Sequence, residues 1–169
     1  MGSSKAGIKV FKSDGESRTM EIGQHLSAML QVGDILLLEG DLGSGKTTLV
    51  RGIMQGLRNG DSSSVKSPSY TILNVYTPDT SVDASTGLTV HHFDFYRVEN
   101  ESDIEELGLN DYWGVGVSIV EWPKRFCHSL PGRIILIDIM IGEGDQREIN
   151  ISPLSVFENG SDASNEGES

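Results

Sequence analysis

The chain is short of cysteine, of basic charge and of long apolar runs. Its single cysteine, Cys127, excludes an internal disulfide and fits a reducing compartment. Cys127 reads as an inert thiol, because only His128 beside it suggests activation and no metal-ligand spacing surrounds it. Lysine and arginine number 13 against 25 acids, a net charge of −12. A free-standing nucleic-acid binder carries a basic face, so this balance argues against a chain that grips RNA or DNA by itself. The longest apolar stretch, residues 134–141, is interrupted by Asp138 and is too short to span a bilayer. No secretory leader is visible, and Ala6 stands where a myristoylation signal wants Ser or Thr. These features read as a cytoplasmic protein with no membrane contact, or an organellar one if a targeting peptide has been removed.

At 169 residues the chain is long enough for one domain with a substantial core. Residues 1–157 read as that domain. Residues 158–169 carry four acids, no base and little apolar content, which predicts a disordered acidic tail.

Residues 40–47 read Gly-Asp-Leu-Gly-Ser-Gly-Lys-Thr, the pattern G-x-x-x-x-G-K-[ST] of a P-loop. Glycines let the backbone wrap closely around phosphate oxygens, since no Cβ blocks the unusual dihedrals. The wrapped N–H groups then form an anion nest at a helix start, where the helix dipole also favours negative charge. The nucleotide-binding run is Asp41, Leu42, Gly43, Ser44, Gly45, Lys46, Thr47 and Thr48. Lys46 reaches the β- and γ-phosphates, and the Thr47 hydroxyl ligates Mg²⁺. The flanks supply the right context. Ile35 to Leu38 is an apolar run suited to a strand buried on both faces, and Leu49, Ile53 and Leu57 form the stripe of a helix.

Elsewhere the pattern predicts a helix over 19–30 from the spacing of Ile22, Leu26, Met29 and Leu30. Residues 59–64 form a polar loop. Residues 70–76 and 88–96 are rich in aromatic and β-branched side chains and read as a hairpin with a long connection. Ser102-Asp103-Ile104-Glu105 reads as a capping box opening a short acidic helix. Residues 117–120 form a short buried strand ending at Glu121. Residues 133–141 and 147–151 pair through Gly142-Glu143-Gly144-Asp145. The fold class is α/β: a P-loop NTPase-like mixed sheet with antiparallel hairpins and flanking helices.

Hydrolysis needs a carboxylate for the metal and a group to orient water. In open α/β sheets such groups stand at the carboxyl ends of strands. Asp94 and Glu121 both do so here. Asp94 lies between Phe93 and Phe95, and a buried carboxylate wants a partner, either Mg²⁺ or Arg97. Ser67, Pro68, Ser69, Tyr70 and Thr71 follow the polar loop, where a switch segment reporting the γ-phosphate could sit, but pattern alone favours an ordinary Ser-Pro turn. His91 and His92 are adjacent, so in a strand they face opposite sides and cannot chelate one metal together. Tyr112 and Trp113 read as core.

The order of these motifs resembles the TsaE family, the P-loop ATPase of bacterial-type tRNA threonylcarbamoyladenosine biosynthesis. The resemblance rests on the P-loop, Ser-Pro-Ser-Tyr-Thr, His-Phe-Asp-Phe-Tyr-Arg, Glu-Leu-Gly and Val-Glu-Trp-Pro, and covers residues 19 to 147. It implies ATP and Mg²⁺ as ligands, with Lys46 and Thr47 as the P-loop pair and Asp94 in hydrolysis. It also implies Glu121 as a Mg²⁺ ligand, Trp122 near the nucleotide, Thr19 near the adenine and a switch over Ser67 to Thr71. Arg147 matches the family's late arginine, with Gln146 in place of the preceding glycine. Ser69 and Phe95 stand where threonine and leucine are usual, and the connection over 77–88 is longer than usual.

The implied partners are TsaD- and TsaB-like proteins that hold the tRNA, which this chain meets only indirectly. Its hydrolysis would be slow alone, since no arginine finger is evident. A small-molecule kinase and a nucleotide-gated binding module remain the alternatives. A GTPase is disfavoured by the lack of an Asn-Lys-x-Asp motif.

Overall fold

A computed structural model of the chain describes residues 9–57, 62–78 and 87–154. The expected tail at 158–169, the middle of the hairpin connection and part of the polar loop lie outside the described residues.

Seven strands form one sheet: β1 (Lys9–Ser13), β2 (Asp34–Glu39), β3 (Leu73–Tyr76), β4 (Val90–Asp94), β5 (Val117–Glu121), β6 (Arg133–Ile141) and β7 (Arg147–Leu154). Their spatial order is β1-β7-β6-β2-β5-β4-β3. The central pairs β6–β2, β2–β5 and β5–β4 are parallel, while β1–β7, β7–β6 and β4–β3 are antiparallel. Among the described residues three α-helices accompany the sheet: α1 (Glu16–Ser27), α2 (Lys46–Gly56) and α3 (Glu101–Glu106). The mixed sheet and both hairpins follow the sequence pattern.

Strand alternation sorts the core into two layers. Leu36 and Leu38 of β2 join Ile22 and Leu26 of α1 and Leu49, Val50 and Ile53 of α2. Ile35 and Leu37 point the other way, toward Phe93, Phe95, Ile104 and Cys127. A strand whose successive side chains enter two cores must be apolar throughout, which is why β2 reads as a continuous run. Helices α1 and α2 pack tightly because Gly52 adds no side chain. A Cβ there would overlap the Met20 carbonyl.

Several boundaries shift for identifiable reasons. Helix α1 starts three residues early, with Gly15 at its N-cap, and ends at Ser27. Met29 and Leu30 then donate to the carbonyls of Leu26 and Ser27, which tightens the chain into a turn. Strand β3 starts only at Leu73, because Ile72 takes φ 69° and donates to the Pro68 carbonyl. The capping box of α3 uses Asn100, not Ser102: the Asn100 side chain accepts from the Asp103 N–H, and the Asp103 carboxylate reaches back to the Asn100 N–H. Strand β1 has no counterpart in the sequence reading. It pairs with β7 at the sheet edge, and most of its side chains stay exposed.

At the foot of the sheet, the Arg133 guanidinium donates from Nε and Nη2 to the two oxygens of buried Asp34, at 2.7 and 2.6 Å. The pair joins β2 to β6 across the register Asp34↔Arg133.

Cys127 lies wholly inside the second core layer, where burial pushes its thiol up to about 11. The thiolate is the reactive form. A thiol-specific disulfide reagent at pH 8 should therefore leave the native chain unmodified and label Cys127 only after denaturation. Rapid labelling of the folded chain would contradict this burial.

Candidate functional site

Strand β2 ends at Glu39, and the chain turns through the P-loop into α2. Gly40, Gly43 and Gly45 take φ of 145°, 77° and 106° in this turn. Those values suit only glycine without strain. Side chains are excluded on a second ground at Gly40, where a Cβ would stand 2.7 Å from the Ile139 carbonyl. Gly45 is the N-cap of α2, and no side chain caps that helix, so its first N–H groups point into the loop. Leu42 projects to solvent at the loop tip, beside exposed Asp41 and Gly43, whereas Ser44 is buried.

Lys46 is folded back over the loop. Its ammonium donates to the carbonyls of Gly40 at 2.7 Å and Asp41 at 3.0 Å, and sits 4.0 Å above the Trp122 ring. Burial lowers its pKa, and the negative charges of Glu121, Asp41 and Asp94 oppose that shift. Trp122 follows the last residue of β5 with φ 55°, a costly dihedral for a bulky residue. That dihedral turns the indole over Lys46 and edge-on to Tyr96, with centroids 5.3 Å apart.

The two acids arrive from adjacent parallel strands. Asp94 of β4 and Glu121 of β5 are register partners at the carboxyl ends of both strands. Both project to the α2 side, as the alternation through Val90 and through Val117 and Ile119 requires. Both are nearly inaccessible. Glu121 Oε1 accepts the Thr47 hydroxyl at 3.2 Å. Asp94 Oδ2 accepts hydroxyls from Ser67 at 2.7 Å and Ser69 at 2.8 Å, and Asp94 Oδ1 accepts the Tyr96 N–H at 2.9 Å. Ser67 also lies 3.4 Å from Glu121 Oε2. Among the described residues these serines, rather than Arg97, partner Asp94.

The segment Ser67 to Thr71 is therefore a turn laid across both acids. Tyr70 at its crest is 92% exposed, and Thr71 donates to Asn74. The serine hydroxyls sit at its inner edge.

Two of the cavities bordering the loop hold most of the expected residues. One of ≈ 350 Å³ is bounded by Lys46, Thr47, Ser67, Ser69, Glu121 and Trp122. The other, of ≈ 370 Å³, is bounded by Thr19, Ser44, Thr48, Asp145 and Arg147. Gly43, Gly45 and Thr48 line both. Thr19 is buried, with its hydroxyl 2.8 Å from Ser13 Oγ. Arg147 donates to the carbonyls of Ser44 at 3.1 Å and Gly43 at 3.3 Å, which ties the second hairpin to the loop. The arrangement thus divides the expected residues. Lys46, Thr47, Asp94, Glu121, Trp122 and the serines gather on one side, and Thr19 and Arg147 stand on the other.

No three His, Cys, Asp or Glu residues among those described converge as a self-sufficient metal cluster. A Mg²⁺ ion at a phosphate site needs none, since it keeps waters and takes one or two carboxylates plus phosphate oxygens. The hydroxyl of Thr47 beside the carboxylate of Glu121 is a hard oxygen pair of that kind.

His92 is the participant that motif spacing did not identify. Its Nε2 lies 2.8 Å from Glu121 Oε1. The signal was available: positions 92 and 94 share one face of a strand. His91, on the opposite face, packs against Tyr112 at 5.0 Å between centroids.

Comparison with known proteins came to one family. The family described as Threonylcarbamoyl adenosine biosynthesis protein TsaE matches residues 13–149. A relative from Bacillus subtilis (strain 168), named tRNA threonylcarbamoyladenosine biosynthesis protein TsaE, is 39% identical over 143 residues, covering 84% of each chain. One of the same name from Nostoc is 34% identical over 152 residues, covering 87% of this chain and 86% of its own. The crystal structure of Bacillus subtilis YdiB superposes with a TM-score of 0.65 at 30% identity, covering 88% of this chain and 86% of its own. No helix among the described residues is long and apolar enough to cross a membrane.

Proposed function

The chain belongs to the TsaE family, and on that premise we propose that it is a Mg²⁺-dependent ATPase serving tRNA threonylcarbamoyladenosine formation with TsaB- and TsaD-type partners. The observation that carries the reading is the meeting of Glu121 with Thr47 at the start of α2, with Asp94 one strand away. Bound there, Mg²⁺ supplies positive charge that neutralises the β- and γ-phosphate oxygens. Lys46 leaves its loop carbonyls for the phosphates. Asp94 orients a water for attack on the γ-phosphorus and takes its proton as the bond to the bridging oxygen breaks and ADP leaves. The nucleoside lies on the side of Thr19 and Arg147, and Trp122 shields the phosphates.

Two arrangements support slow turnover in isolation. The serine hydroxyls hold Asp94, so Ser67 and Ser69 must shift or share the carboxylate before a water can use it. Two arginines near the loop are also engaged: Arg51 with the Val65 carbonyl and Glu16, and Arg147 with the loop. A partner that reorders the switch segment would release Asp94.

Phosphate release should be slow for the chain alone and should rise at least about tenfold when TsaB- and TsaD-type proteins are added, as completion of a catalytic constellation by a partner allows. The same mixture should form modified tRNA only when this chain is present. Efficient phosphoryl transfer to a metabolite, or modification that proceeds equally without the chain, would overturn the reading.

A further inference from the structure

His92 has no place in the reaction described above, yet its ring is wholly buried against the acid at its centre. An ionised carboxylate can only accept, so with Glu121 ionised the imidazole nitrogen facing Oε1 at 2.8 Å carries the hydrogen. The other ring nitrogen, Nδ1, is buried with no hydrogen-bond partner among the described residues. An orphaned buried nitrogen is costly, and an apolar side chain here would avoid that cost. Among the described residues Glu121 is therefore the one hydrogen-bond partner that explains a polar ring here. The surroundings hold the ring in place. Its register partners are Ile119 on β5 and Asn74 on β3, whose amide donates to the Tyr76 hydroxyl, and the Tyr76 ring lies at 6.4 Å between centroids.

The oxygen that His92 holds is also the one that accepts the Thr47 hydroxyl. Ser67 approaches the second oxygen at 3.4 Å. A glutamate side chain has three rotatable bonds, and such contacts select one of its rotamers. We propose that His92 is a positioning residue whose Nε2–H fixes Glu121 Oε1 beside Thr47, so that carboxylate and hydroxyl stand ready for Mg²⁺ before nucleotide arrives. This rests on the reading of Thr47 and Glu121 as the metal pair. Partners that orient a metal ligand in this way typically change metal affinity by about 10–100-fold when removed.

The test compares the affinity of a fluorescent ADP analogue in Mg²⁺ and in EDTA. The ratio of the two measures what the metal adds. In His92→Phe that ratio should fall by about tenfold, with the affinity in EDTA unchanged. His92→Gln, whose amide nitrogen reaches to nearly the same point, should restore it. A folded His92→Phe variant with the wild-type ratio overturns the proposal. So does an equal loss of affinity in both buffers, which marks a merely structural role. Should the phenylalanine variant fail to fold, His92→Asn, whose amide falls short of Glu121, should lower the ratio relative to His92→Gln, and equal ratios overturn the proposal. A wild-type chain with no Mg²⁺ contribution would instead strike at the metal pair itself, and is distinguished by needing no variant.

Discussion

Lys46→Ala should abolish modified-tRNA formation in the reconstituted mixture and leave the chain folded. Its ammonium is the one cation that the P-loop turns toward its own bowl, held by the carbonyls of Gly40 and Asp41 and by the Trp122 ring. These contacts are exchangeable: phosphate oxygens offer the same ammonium stronger, charge-assisted partners. A hydrogen bond to a charged group contributes about 1.5–3 kcal/mol, so ATP affinity should fall by roughly 10- to 100-fold. Hydrolysis should fall further, by about 10²–10³, because the same charge meets the negative charge that develops in the transition state. Folding should survive, since Leu49, Val50 and Ile53 anchor α2 independently of its first residue. Titration of a fluorescent ATP analogue, phosphate release and a thermal melt separate the three effects. Wild-type hydrolysis by the alanine variant would remove the P-loop from the mechanism.

Asp94→Asn should have the opposite profile, with binding retained and hydrolysis lost. Asparagine keeps the shape of the carboxylate, and its oxygen can still accept from Ser67, Ser69 or the Tyr96 N–H. The local turn should therefore persist. What would disappear, on the proposed mechanism, is the negative charge that orients water and takes its proton, a contribution of about 10²–10⁴ in rate. Nucleotide affinity should change by less than about threefold, as expected for an interaction made only in the transition state. Phosphate release and equilibrium binding on the same preparation give the comparison. Normal modified-tRNA formation by this variant would end the assignment of Asp94 to hydrolysis.

How legible these features were differs from residue to residue. The P-loop was plain because its function and its backbone need the same letters. Gly40, Gly43 and Gly45 all take positive φ, and only glycine does so without strain. Strand β2 was plain because both of its faces are buried. Asp94 and Glu121 were found because each closes a short strand pattern, Val90 to Phe93 and Ser118 to Val120, so each lies at a strand end. Their common face was also implied by alternation, since positions 90, 92 and 94 point one way, as do 117, 119 and 121.

Other features left little trace. Strand β1 is mostly exposed and pairs at an edge, so burial imposes no strong period on it. The start of β3 depends on the positive φ of Ile72, which no local propensity favours for a β-branched residue. The Asn100 cap competed with Ser102, two residues on, and both are good capping types.

The sequence by itself determined an α/β chain with a glycine-rich P-loop turn, two acids at strand ends and a motif order resembling one family. Those properties are local or periodic, and chain order preserves them. Only the tertiary structure decided which groups meet. It set β5 between β2 and β4, so that Glu121 reaches Thr47, 74 residues away, and His92 from the next strand. It laid Ser67 and Ser69 over Asp94, and tied Arg147 to the loop through carbonyls that carry no side-chain signature. The physical reason is that strand order and sheet register arise from burying both faces of β2 at once. That is a condition on the whole chain, which no short stretch of it records.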